Sequence, residues 1–408
     1  MAVMVVPVNL WEGRVQINKD GVVRQNHANL LAYLRNDPSW QEVVTYDEFA
    51  QVVWLEKPIP RTDGSLPNDW RRRPLEDTDI DEAVEWFQLS DFPHIGPEKV
   101  YRSIMQHATK SAAYHPVRDY LEELHWDDTE RLDQWLIDCC GGQADTKNTA
   151  KYLREVGSKW MISAVARILD PGCQVDHVLI FEGTQGIGKT TALRILGGDH
   201  FSDGLPADVH TKDARDHVRG KWIIELAELS QMGRADIEAV KAFVSRREER
   251  FRPAYGKAEI FYPRQCVFAG TTNKAEYLRD ETGNRRFWPV KVDNIDLAAL
   301  ERNRDQLWAE SVTRFRKGEL WHLTDAAVIA TAKAEQSDRY LSDAWEGAIT
   351  KYVAGQERVT VSEVMTNALD CPKSQQRRSE QNRVVAVLER LGWERKRTNK
   401  ERYWVPKR

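Results

Sequence analysis

The sequence predicts an α/β protein: a core of strands and helices, entered through a helical block and followed by a small basic tail. Three observations carry that expectation. Beyond residue 170, apolar runs of strand length (DHVLIFEG, GKWIIELAEL, RQCVFAGTTN) are separated by helix-like stretches, the pattern of an α/β core. Just before them, VRDYLEEL, TERLDQWLIDCC and AKYLREVGSKWMISAVARIL repeat apolar residues at helical spacing. Near the end, VTVSEVMTNAL and QNRVVAVLERLG read as two short amphipathic helices and WERKRTNKERYWVPKR as a hairpin around Thr398-Asn399-Lys400. Helix, helix and basic hairpin is the order expected of a winged helix.

Size and composition set the frame. A chain of 408 residues suits two or three domains. Hydrophobic residues at 41%, charged residues at 30% and a mean hydropathy of -0.61 describe a globular protein, neither membrane-spanning nor disordered. The apolar opening MAVMVVPVNL lacks a basic leader and a cleavage site, so a cytoplasmic protein is expected. The cysteines are Cys139, Cys140, Cys173, Cys266 and Cys371, without C-x-x-C spacing, and read as reduced and structural. A net charge of -4 excludes a uniformly basic coat, so any nucleic-acid contact must come from local patches or the inside of an oligomer.

The boundaries expected are an accessory region over 1–110, the helical block over 111–170, the core over 171–340 and the tail over 355–408. The first of these is the least readable. It holds helix-like NHANLLAYLRND and DIDEAVEWFQL around a Pro- and Gly-punctuated segment, and its cluster Asp77, Asp79, Asp81 reads as a solvated helix start.

Chemistry enters at Gly183-Thr-Gln-Gly-Ile-Gly188-Lys189-Thr190, a full G-x-x-x-x-G-K-[ST] match. Gly183, Gly186 and Gly188 let backbone N–H groups curve around phosphate. Lys189 reaches the β and γ phosphates, Thr190 can ligate Mg²⁺, and Thr191 continues into a helix. VLIFE before the loop and TTALRIL after it supply the required strand and helix. The ligand expected is ATP with Mg²⁺.

Such a site needs an acid at the end of a neighbouring strand. GKWIIELAELS offers Glu225 and Glu228; Glu228 is preferred because it ends the apolar run, and the sequence does not separate them. The third run ends at Asn273, where a polar side chain can hold the attacking water. NKAE resembles the guanine-reading N-K-x-D, but Glu276 stands where aspartate is needed. DETGNRRFWPV then brings Arg285 and Arg286, either able to stabilise charge on a transferring phosphoryl group. Between the second and third runs, Lys241, Arg246, Arg252, Tyr255 and Lys257 mix cations with aromatics, as a single-strand track does, although Glu248 and Glu249 also permit a solvated helix.

Taken in order, HPVRDYLEELHWDDTERLDQWL, FEGTQGIGKTT, GKWIIELAELS, VKAFVSRREERFRPAYG, PRQCVFAGTTN and DETGNRRFWPV resemble the virulence-associated E family of phage, prophage and pathogenicity-island proteins. The resemblance implies a P-loop core similar to superfamily III helicases within the AAA+ class. It implies Lys189 and Thr190 as Walker A contacts, Glu228 or Glu225 as the Walker B acid, Asn273 as sensor and Arg285 or Arg286 as a finger acting on the neighbouring subunit's nucleotide. It further implies a homo-oligomeric ring, usually a hexamer, around DNA. Many relatives carry a primase domain, but 1–110 shows no convincing carboxylate constellation for one.

The function expected is an ATP-driven DNA helicase or translocase in replication of a mobile element, with Arg395, Lys396, Arg397, Lys400 and Arg402 of the tail touching phosphates. The alternative is an origin-binding initiator or assembly factor that uses ATP as a switch and does not unwind. A small-molecule kinase is disfavoured by the arginine pair.

Overall fold

The computed structural model describes residues 15–65, 67, 69–226, 234–251, 260–278, 284–340, 344–398 and 402–407. The first unit contains α1 (His27–Asn36), β1 (Val44–Asp47), β2 (Val52–Leu55), β3 (Arg73–Pro74), α2 (Asp77–Leu89), α3 (Pro97–Ser111) and β4 (Ala113–Tyr114). Its sheet runs β3-β2-β1-β4, with β1 antiparallel to β2 and parallel to β4. The region is thus more regular than its sequence suggests. Its strands are only two to four residues long, too short to show an alternating pattern. Leu34, Trp40, Val53, Leu55, Phe87 and Ile104 form its separate core. The aspartate cluster opens α2 as expected, but Asp79 is buried: it accepts the Glu76 N–H and pairs with Arg73 at 2.7 Å.

The helical block follows as α4 (Pro116–Glu123), α5 (Trp135–Asp138) and α6 (Lys147–Leu169). The helical pattern of TERLDQWLIDCC yields only the short α5. Ahead of it the chain is held by side chains instead: Glu310 accepts the N–H groups of Arg131 and Leu132 at 2.7 and 2.8 Å, and Arg131 pairs with Asp127. Side-chain bonds to backbone compete here with the helical ladder.

The core comprises β5 (Val178–Glu182), α7 (Lys189–Gly197), β6 (Phe201–Ser202), α8 (Lys212–His217), β7 (Ile223–Leu226), α9 (Arg234–Val244), β8 (Glu248–Phe251), β9 (Ile260–Pro263), β10 (Val267–Thr272), β11 (Phe287–Lys291), α10 (Leu297–Arg316) and α11 (Ala326–Asp338). Five strands form one parallel sheet in the order β11-β5-β10-β7-β6. All five residues of β5 are buried, as a strand covered on both faces requires, and this explains its unbroken apolar run. Leu179 and Phe181 pack with residues of α6, α7 and α10, whereas Val178 and Ile180 pack with α8 and α9. Strands β8 and β9 stand apart as an antiparallel hairpin. The first unit is fastened to this core at Phe49, whose carbonyl accepts Gly220 N–H at 3.1 Å and the Tyr262 hydroxyl at 2.7 Å.

The tail contains α12 (Glu346–Val353), α13 (Val361–Ala368), α14 (Arg378–Arg390), β12 (Trp393–Arg397) and β13 (Arg402–Pro406). Ile349, Val364, Val384, Leu388, Trp393 and Trp404 give it a core of its own. The two expected helices and the hairpin are present. A further helix, α12, joins them, and a bridge between Val359 and Trp404 extends the hairpin. No helix among the described residues is long and apolar enough to cross a membrane.

Candidate functional site

The glycine loop leaves the carboxyl end of β5 and turns into α7. Gly183 has no room for a side chain, because a Cβ there would lie 2.4 Å from the Val292 carbonyl oxygen and 2.6 Å from Ile187. Gly188, at φ 94°, adopts a left-handed conformation that L side chains resist, and it caps α7. The first N–H groups of a helix lack intrahelical partners, so this turn presents donors and the positive end of the helix dipole to the same space.

Lys189 folds back over the loop. Its ammonium donates to the carbonyls of Gly183 and Thr184 at 2.8 and 2.7 Å, and burial lowers its pKa despite the nearby Glu225. One residue on, the Thr190 hydroxyl donates to Glu225 Oε1 at 2.9 Å. Thr271 of β10 donates to the same oxygen. Glu225 is 2% exposed, and its Oε2 has no hydrogen-bond partner among the described residues. A buried carboxylate oxygen without a partner is costly. With the Thr190 hydroxyl beside it, the oxygen-only donor set suits Mg²⁺, which takes one or two protein ligands and substrate phosphates. Glu228 lies outside the described residues. Thr191 is exposed on α7.

Strand β10 lies between β5 and β7, so Asn273, exposed just past its end, emerges between the loop and Glu225. The two arginines separate. Arg286 donates through Nε to Ser245 Oγ at 2.9 Å, tying it to α9 within the same chain. Arg285 is exposed. Thr271 is a site residue that the sequence reading missed; its signal was a hydroxyl two residues before Asn273.

The basic-aromatic segment divides in a similar way. Lys241 is 3% exposed, paired with Glu238 at 3.1 Å and set 5.9 Å from the Phe287 ring. It supports packing, in contrast to the exposed track expected of it. Arg246 is turned toward Glu249 at 3.3 Å and over Phe243. Arg252, Tyr255 and Lys257 lie outside the described residues. The hairpin strands carry a pair the sequence reading did not select: Arg250 sits 4.6 Å from the centre of the Phe261 ring, and Phe261 is 52% exposed.

In the tail, Arg395, Lys396 and Arg397 are exposed, Lys396 pairing with Glu394 at 3.0 Å. Exposed Arg402 lies directly across the hairpin from Arg397. Like charges directly opposite are destabilising in a bare sheet, so this pair favours an anionic partner. Lys400 lies outside the described residues.

No curated protein matches the chain. Solved structures of similar outline include an A-form apo structure of the NrS-1 C-terminal region, with a TM-score of 0.45 and 12% identity over 90% of this chain and 96% of that one. Another apo structure of that region has a TM-score of 0.44 and 12% identity over 91% and 99%. A sequence model of the virulence-associated protein E-like domain matches residues 121–340. That stretch takes in the whole parallel sheet, the glycine loop, Glu225, Asn273 and both arginines, and it is more than half the chain: the protein belongs to the virulence-associated protein E-like family.

Proposed function

We propose that the protein is an ATP-hydrolysing motor with a P-loop core of AAA+, superfamily III type, acting on DNA in replication of a phage or other mobile element. The observation that carries this reading is the contact of Thr190 with Glu225 beneath the glycine loop, with Glu225 Oε2 left open. It favours Glu225 over Glu228 as the acid that organises the metal. Thr190 and Glu225 would hold Mg²⁺, which would supply neutralisation of the phosphate charge.

The remaining roles belong to the chain. Loop N–H groups and the α7 terminus orient the phosphates, and Lys189 exchanges its carbonyl partners for phosphate oxygens. Asn273 holds the attacking water between loop and acid. Arg285, exposed where Arg286 is tied down, is the better candidate to reach a neighbouring subunit's nucleotide. This assigns the work to subunit boundaries of a ring, usually a hexamer in the similar superfamily. The β8–β9 hairpin and the winged-helix-like tail are its DNA contacts, the former through Arg250 and Phe261. Arg395, Arg397 and Arg402 serve the same purpose on the tail.

An ATP-switched initiator is the second reading, favoured by the tail having a core of its own and hence the means to bind DNA independently of turnover. Strand displacement by the wild type separates the cases: forked-duplex unwinding that is lost together with ATP hydrolysis in Lys189→Ala supports the motor. Origin-type DNA binding in the wild type, with hydrolysis and no strand displacement, supports the switch.

A further inference from the structure

Glu182 is the last residue of β5, directly before Gly183, and it is paired in register with Thr272 at the end of β10. Its buried carboxylate is gripped from outside the sheet. Arg339, the residue following α11, donates through Nε to both carboxylate oxygens at 2.9 and 3.0 Å and through Nη2 to Oε2 at 2.9 Å. The Tyr277 hydroxyl donates to Glu182 Oε1 at 2.6 Å. The Arg339 carbonyl in turn accepts the N–H groups of Tyr277 and Leu278, each at 3.0 Å. One residue therefore holds the strand entering the glycine loop by its side chain and the segment leaving Asn273 by its backbone. Glu335, one turn earlier on α11, accepts from the same guanidinium and fixes its direction.

We propose that Arg339 is a positioning residue for hydrolysis, setting the spacing between the glycine loop and the Asn273 loop without touching nucleotide. The inference rests on the ATPase reading above. An arginine suits the task because its planar fork fixes angle as well as distance, which a lysine does not. An ångström of misplacement between reacting groups costs up to about a hundredfold in rate, whereas phosphate binding draws on loop N–H groups and Lys189, which the clamp does not contact.

The experiment compares wild type, Arg339→Gln, Arg339→Lys and the charge-free pair Glu182→Gln with Arg339→Gln. It reads ATP turnover, affinity for a fluorescent ATP analogue, melting temperature and amide exchange. For Arg339→Gln, kcat should fall about tenfold or more while analogue affinity moves less than about threefold. Exchange at Tyr277 and Leu278 should quicken about tenfold or more. Arg339→Lys should fall between. The double variant leaves no buried charge unpaired, so it should regain the melting temperature and not the turnover. Wild-type turnover in Arg339→Gln, or turnover that returns with melting temperature in the double variant, would overturn the proposal. If wild type shows no hydrolysis that Lys189→Ala removes, the ATPase reading fails by itself. The exchange rates then decide the clamp: unchanged protection at Tyr277 and Leu278 in Arg339→Gln would overturn it.

Discussion

Replacing Glu225 by Gln changes one atom and one charge at the centre of the site. Oε1 keeps its acceptor role toward Thr190 and Thr271, but both bonds lose their ionic partner, a loss of roughly 1 kcal/mol each. Against this, a carboxylate that is 2% exposed and has an open oxygen no longer carries a buried charge, worth several kcal/mol in relief. The free variant should therefore be at least as stable as wild type. Its ligand response should differ. Nucleotide at a hundred times its Kd stabilises the folded state by about 2.7 kcal/mol, roughly 5–10 °C for a domain of this size. In wild type part of that shift should require Mg²⁺, and in Glu225→Gln that part should vanish. Thermal unfolding with ATP, with and without Mg²⁺, measures it directly. Retention of the Mg²⁺ increment by Glu225→Gln, with its loss in Glu228→Gln, would refute the assignment of the metal to Glu225.

Other consequences are as specific. Arg285→Ala should abolish turnover while leaving nucleotide affinity intact, and mixing it with Lys189→Ala subunits should restore part of the activity; absence of rescue in every mixture would count against a finger acting in trans. Arg397→Gln with Arg402→Gln should lower the salt slope of DNA binding by roughly 1.5, as loss of two phosphate contacts requires, and an unchanged slope would remove the hairpin from the interface. His177 is stacked on Trp288 at 3.8 Å, and burial pushes its pKa from 6.5 down to about 3. It stays neutral in the fold while the unfolded chain takes up a proton first, so its contribution is complete above about pH 6.5 and falls by about 1.4 kcal/mol per pH unit below it. Denaturant midpoints should fall less steeply between about pH 6 and 4 in His177→Gln, and parallel slopes would contradict the assignment.

The parts of the fold legible in the sequence were those whose pattern is local. The run VLIFE announces β5 because both faces are covered, and the glycines announce the loop because one needs a left-handed φ and another has no room for a Cβ. The tail hairpin was legible from an equally local pattern. What decides between neighbours is not local. Glu225 reaches Thr190, and of Arg285 and Arg286 it is Arg286 that meets Ser245, just past α9; sequence spacing contains neither fact. Lys241 belongs to a basic segment by composition, yet the helix turns it inward against Phe287. Glu182 and Arg339 lie 157 positions apart, and no periodicity joins them. The first unit stayed obscure because its sheet is assembled from short strands brought together across α2 and α3.

The central claim is that this loop hydrolyses ATP to do work on DNA. The most direct test measures ATP hydrolysis by the full chain with and without single-stranded DNA, alongside displacement of a labelled strand from a forked duplex, with Lys189→Ala as the blank. Hydrolysis stimulated by DNA, with strand displacement and both lost in Lys189→Ala, is the result predicted. Hydrolysis indifferent to DNA with no displacement, or hydrolysis that persists in Lys189→Ala, would contradict it.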